Sequence, residues 1–168
     1  ELPSKPFTMG ETVIGTSWVD AAAVREHLKA KPPKPAELRD GLPWWIPKGL
    51  AECEAFERKI AERYGKRTLE RFKQGADLSN LGTRKFQSEV LRMYPNHAGW
   101  VMNQIRDVPG GRLGFMDDLG RWRFTPEQTR PWLSESIALL RTPDQRRAFT
   151  GGQDLEADIG VSNFGSEP

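Results

Sequence analysis

The residues best suited to chemistry lie between Tyr94 and Phe124. Arg112, Arg121 and Arg123 fall within GRLGFMDDLGRWRF, residues 111–124, where Leu113, Phe115, Trp122 and Phe124 alternate with them. Side chains alternate across a strand, so a β-hairpin here is expected to carry the apolar set on one face and three guanidinium groups on the other. A guanidinium is a rigid fork of donors matched to phosphate oxygens, and such a face is suited to clamp an anion. Upstream, Tyr94-Pro95-Asn96-His97 is predicted to break a helix, and a loop imidazole can exchange a proton near neutral pH. His97 for proton transfer, the three arginines for charge and Tyr94 or Thr125 as auxiliary donors form the set a metal-independent ribonuclease needs. That chemistry requires His97 and the arginines to share one hollow.

Other positions could bind substrate. Trp44 and Trp45 stand in a proline-rich segment that cannot easily turn both indoles inward, and Arg67, Arg71 and Lys85 belong to a basic stretch. Asp117 and Asp118 could act as a general base or hold a cation, but adjacent aspartates are also what a turn demands. His27, in mid-helix beside Glu26, reads as structural, as do Glu52, Glu54 and Glu57 at helical spacing. No C-x-x-C, H-E-x-x-H or glycine-rich phosphate loop is present, and no metal or cofactor is expected.

These residues must be positioned by 168 residues of formal net charge +2 with a single cysteine. A chain of this length buries roughly 70% of its unfolded surface and folds without disulfide staples. Cys53, lying in an apolar helical stripe, is expected to behave as a small hydrophobe. No apolar run approaches the roughly 20 residues of a membrane-spanning helix, so the chain is expected to be soluble and to act in a cytoplasmic compartment. The start at Glu1 suggests a piece excised from something longer. Charge is uneven: residues 58–92 hold ten basic side chains against four acids, whereas residues 150–168 carry four acids and no Lys or Arg. A basic centre favours polyanionic partners such as nucleic acid.

Residues 1–11 are expected to be an irregular lead-in, 12–149 one globular domain with a proline-rich connector at 31–49, and 150–168 an acidic, disordered tail. A strand is predicted at 12–19 and a helix capped by Asp20. Further helices are expected from Leu50, after Thr83, from Asn96 to Val108 and from Pro131 to Leu140, with a short last one after Thr142. The residues 76–82, ADLSNLG, read as a loop. The expected fold class is α+β, predominantly helical, with a small antiparallel sheet made of the hairpin and the early strand.

In general texture the chain resembles effector domains carried at the C-terminal ends of bacterial secreted toxins, a similarity resting on no motif. The expectation is a small effector acting on a polyanionic substrate, foremost as a ribonuclease. The alternative is a non-catalytic module that docks a protein partner, a target or an inhibitor, through Trp44, Trp45 and the connector.

Overall fold

The computed structural model describes residues 5–166. In chain order the elements are β1 (Phe7–Thr12), α1 (Ala21–Ala30), the two-residue strands β2 (Leu38–Arg39) and β3 (Leu42–Pro43), α2 (Leu50–Tyr64), α3 (Lys66–Arg92), β4 (His97–Met102), α4 (Pro126–Leu133), β5 (Ser136–Arg141) and β6 (Asp158–Asn163). The fold is α+β: four helices with three separate two-stranded sheets among the described residues.

Asp20 caps α1 as expected, its carboxylate accepting from the Ala23 N–H at 3.2 Å. Ala21 and Val24 are buried against Val19 and Leu50, with Trp18, Leu28, Trp45 and Cys53 packed around them. Gly65 (φ 86°) divides α2 from α3, a conformation that glycine adopts without strain. Across that break Trp18, Phe56 and Phe72 form a cluster with ring centroids 5.2–5.8 Å apart. The Trp18 indole N–H donates to Glu57, which also pairs with Lys73 at 3.2 Å.

The core-facing stripe of α3 is polar: Asn80, Arg84, Ser88 and Arg92, spaced by four, are all buried. Helical neighbours at that spacing share one face, so the residues expected to form a loop continue the helix and dock it through hydrogen bonds. Arg84 donates to Asn80, to the Val13 carbonyl and to the Asn103 carbonyl, at 2.8, 2.7 and 3.1 Å. Arg92 reaches the Ser134 and Glu135 carbonyls and lies 4.7 Å from the Phe164 ring centre. Both arginines are thereby withdrawn from the basic surface that the composition suggested.

Gly15 lies directly beneath this stripe, where a Cβ would fall 2.4 Å from the Asn80 carbonyl oxygen and 2.6 Å from its Cα. Asn80 Oδ1 is nearer still, and the two backbone atoms cannot rotate away. Gly15→Ala is therefore expected to cost about 3 kcal/mol, the upper end for overpacking, read as a lowered urea midpoint.

Several expected elements are corrected. The early strand is Phe7–Thr12 rather than 12–19, and it pairs in parallel with β4, Phe7 opposite His97 and Met9 opposite Trp100. HAGWVM is thus a strand where a helix from Asn96 to Val108 was predicted. The helix expected at 131–140 is instead α4, opened by a Thr125–Gln128 capping box, followed by β5. Residues 158–163 of the expected disordered tail form β6, antiparallel to β5 along its whole length. The short helix after Thr142 is a single 3-10 turn, Pro143–Gln145.

Residues 111–124 do reverse direction, with Arg123 N–H donating to the Phe115 carbonyl and Asp117 N–H to the Arg121 carbonyl. The ladder is not regular. Met116 bridges both Trp122 and Arg106, and Gly114 sits so close to Arg106 and Asp107 that a Cβ would meet their backbone at 2.5–2.7 Å. The bend breaks the period-2 alternation. Trp122, expected inside, is 65% exposed, whereas the Arg123 side chain, expected outside, is 7% exposed.

Candidate active site

The three hairpin arginines do not form a free anion clamp. Arg121 pairs with Asp117 at 2.6 Å and Asp20 at 2.9 Å. Arg123 bridges Asp77 at 3.1 Å and buried Asp107 at 2.5 Å. Arg112 donates to the Val108 and Pro109 carbonyls and approaches Asp118 at 3.6 Å, beyond hydrogen-bond range. The countercharge comes from Asp20 and Asp77, distant in sequence, and from Asp107, Asp117 and Asp118 in and beside the hairpin, none of which the alternation pattern could reveal.

Nor does His97 meet them. Its ring is 4% exposed, edge-on to Phe7 at 5.1 Å and stacked on Trp100 at 5.7 Å, and neither ring nitrogen has a partner. Tyr94 lies just past the end of α3, its carbonyl accepting from the His97 N–H. Neither residue lines any of the cavities described below.

Burial holds the His97 pKa below its ordinary value. A histidine depressed in the folded state leaves stability intact above the unfolded value and withdraws it as pH falls through that value toward the folded one. Between pH 7 and pH 5 the His97 contribution therefore works against the fold. Wild type is expected to lose stability over that range relative to His97→Phe, which keeps the ring packing, when melting curves of the two proteins are compared.

A different group of residues converges. His27, Trp44, Trp45, Arg106, Asp118 and Leu119 line one cavity of about 160 Å³. The connector builds one wall. Asp40 and Gly41 both take positive φ, 53° and 77°, as a tight type I′ hairpin turn requires, and so join β2 to β3. The Trp44 N–H is then fixed on the Glu37 carbonyl at 3.0 Å. Trp44 is left 58% exposed, while Trp45 packs edge-on against His27 at 5.6 Å and 87°. The connector is thus folded rather than extended.

The adjacent aspartates supply the other wall and divide the labour. Asp117 shapes the turn, its carboxylate accepting from the Leu119 and Arg121 N–H groups at 2.9 and 2.8 Å. Asp118 is thereby turned inward, its side chain 3% exposed and its Oδ1 buried without a hydrogen bond. Desolvation, reinforced by Asp107 and only partly countered by Arg112, pushes the Asp118 carboxyl up to about 6. Arg106 donates to the Asp118 carbonyl at 2.5 Å and brings a guanidinium to the same cavity.

A cavity of this size is smaller than the roughly 300–1,000 Å³ sites that enclose whole ligands. It suits one group of an extended molecule whose remainder lies outside, beside Trp44. No protein-family model matches this chain, and no curated protein is significantly similar to it.

The other sequence candidates lie apart. Arg67 and Arg71 are exposed on the first turns of α3 and line none of these cavities. Lys85 pairs with Glu89 in a separate cavity of about 540 Å³ shared with Phe86 and Arg147. Glu54 is bound by Arg25 through two hydrogen bonds. Cys53 packs against the α1–α2 core, where burial raises its thiol pKa. Arg106 carried no sequence signal, His27 was legible only as a structural histidine, and Asp118 as a turn residue that could also serve as a general base.

Proposed function

We propose that this chain is a small effector that cleaves a polyanionic substrate, foremost single-stranded RNA, using Asp118 and His27 in place of His97 and the hairpin arginines. The observation that carries the proposal is a buried carboxyl, its Oδ1 without a hydrogen bond and its Oδ2 3.6 Å from Arg112, with a pKa of about 6 and lining the same cavity as an imidazole, a guanidinium and two indoles. A general base works best when its pKa lies near the operating pH, and desolvation brings an aspartate there.

In the proposed reaction Asp118 takes the proton of a ribose 2′-hydroxyl, and that oxygen bonds to phosphorus. The bond from phosphorus to the 5′ oxygen breaks, His27 protonates that oxygen, and a 2′,3′-cyclic phosphate and a 5′-hydroxyl result. Arg106 offsets charge developing on the non-bridging oxygens. Trp44 offers a stacking face to a base outside the cavity, which is sequence-tolerant because every base has a π-face.

Incubation with total RNA and with single-stranded homopolymers in EDTA is expected to give cyclic-phosphate ends, with His27→Ala at least 100-fold slower, as removal of a proton donor implies. Absence of cleavage of every RNA tested would reject the enzymatic reading. The exposure of Trp44 supports the second reading, a protein-docking module. In that case RNA stays intact, and Trp44→Ala instead abolishes a stoichiometric complex with a protein partner.

A further inference from the structure

A cavity larger than those described above lies away from the residues assigned to the Asp118 site. It measures about 820 Å³ and is walled mainly by Met102, Ile105, Phe115, Trp122, Phe124 and Leu133. Its volume falls within the roughly 300–1,000 Å³ of small-molecule sites, and its composition, mostly aromatic and aliphatic with a few polar groups, matches theirs. Phe115 and Phe124 meet at 85° with centroids 6.0 Å apart, so the wall is a fixed corner of two rings. Aromatic pairs favour offset and edge-to-face arrangements, which such a corner can offer to a further ring.

Charge accounting defines the occupant. The only ionisable residue lining the cavity is Arg123; its two terminal nitrogens are already held by Asp77 and Asp107, and its Nε is buried without a hydrogen-bond partner, which leaves a single N–H donor on this wall. One cation facing two carboxylates leaves no attraction for an anion. The polar side chains at the rim are committed as well: the Thr125 hydroxyl accepts from the Gln128 N–H, and the Thr129 hydroxyl bonds to the Thr125 and Pro126 carbonyls. We infer that this cavity is a binding site for a neutral aromatic small molecule poor in hydrogen-bonding groups, entering beside the exposed Trp122 and Ile105. The site is independent of the Asp118 cavity, and its ligand is not the polyanion.

A matched pair of probes tests the inference on the full chain. 2-Acetylnaphthalene is neutral, and 2-naphthoate has nearly the same shape with a negative charge. Saturable one-to-one binding of 2-acetylnaphthalene, followed by tryptophan fluorescence, is expected to be at least about tenfold tighter than that of 2-naphthoate, because an unpaired charge pays desolvation on entry. Ile105 is 70% exposed, so Ile105→Asp is expected to leave the circular dichroism spectrum unchanged while weakening 2-acetylnaphthalene about tenfold. The inference is overturned if 2-acetylnaphthalene does not saturate, if 2-naphthoate binds as well, or if the folded Ile105→Asp variant binds unchanged.

Discussion

Arg84→Met is expected to destabilise the fold by about 3–5 kcal/mol, a large part of the 5–15 kcal/mol that holds an ordinary domain together. Arg84 is fully buried, with no carboxylate in hydrogen-bond contact. Its charge is held by the Val13 and Asn103 carbonyls, the Asn80 amide oxygen and the face of Phe115, 4.4 Å from the guanidinium carbon. Burial lowers its pKa to about 10, so it remains a cation at neutral pH. Removing the guanidinium leaves two buried acceptors and the part-buried Asn103 carbonyl without this donor, and an unsatisfied buried acceptor costs about 1–3 kcal/mol. Lysine does not replace it, because a single ammonium cannot reproduce a planar fork reaching three directions. The check is urea denaturation: a midpoint within error of wild type would show that the polar stripe of α3 does not hold the helix to the 13–17 segment.

Asp118→Asn is expected to move activity and stability in opposite directions. Loss of the base is expected to slow cleavage by about 100-fold to 10,000-fold. The stability effect follows from the raised pKa. A carboxyl that titrates near 6 in the folded state and near 3.8 when unfolded binds its proton more tightly when folded. The folded state therefore bears no penalty below about 3.8, and the penalty grows with pH until it is complete above about 6. Asparagine mimics the neutral form, so the variant is expected to be more stable than wild type at pH 8, by on the order of 2 kcal/mol, and no more stable at pH 4. Melting temperatures at the two pH values separate this outcome from a merely damaging substitution, which would lower both.

Local signals were read correctly where local forces decide the outcome. The Asp20 cap and the start of α2 at Leu50 both depend on residues within one turn. Misreadings arose where distant partners decide. SIALLR satisfies helical spacing through Ile137 and Leu140, but in β5 it is Ile137 and Leu139 that turn inward, because β6 is available to pair with it. The residues 76–82 look like a loop because Ser79 and Asn80 are poor core residues, yet Asn80 donates to the Ser17 hydroxyl 63 positions earlier. Within the candidate site, Trp44, Trp45 and the aspartate pair stood out by type and spacing. Their convergence with His27 and Arg106 joins α1, the connector and two later turns, and no period or motif encodes it.

The central claim is that Asp118 is the base of an acid–base pair. The most direct test is single-turnover cleavage of a single-stranded RNA from pH 4 to pH 8, for wild type and Asp118→Asn. The predicted wild-type profile has an acid limb with a midpoint near 6, where Asp118 ionises, and that limb is missing from the residual rate of Asp118→Asn. A wild-type profile with no inflection near 6, or the same inflection retained in Asp118→Asn, would contradict the assignment.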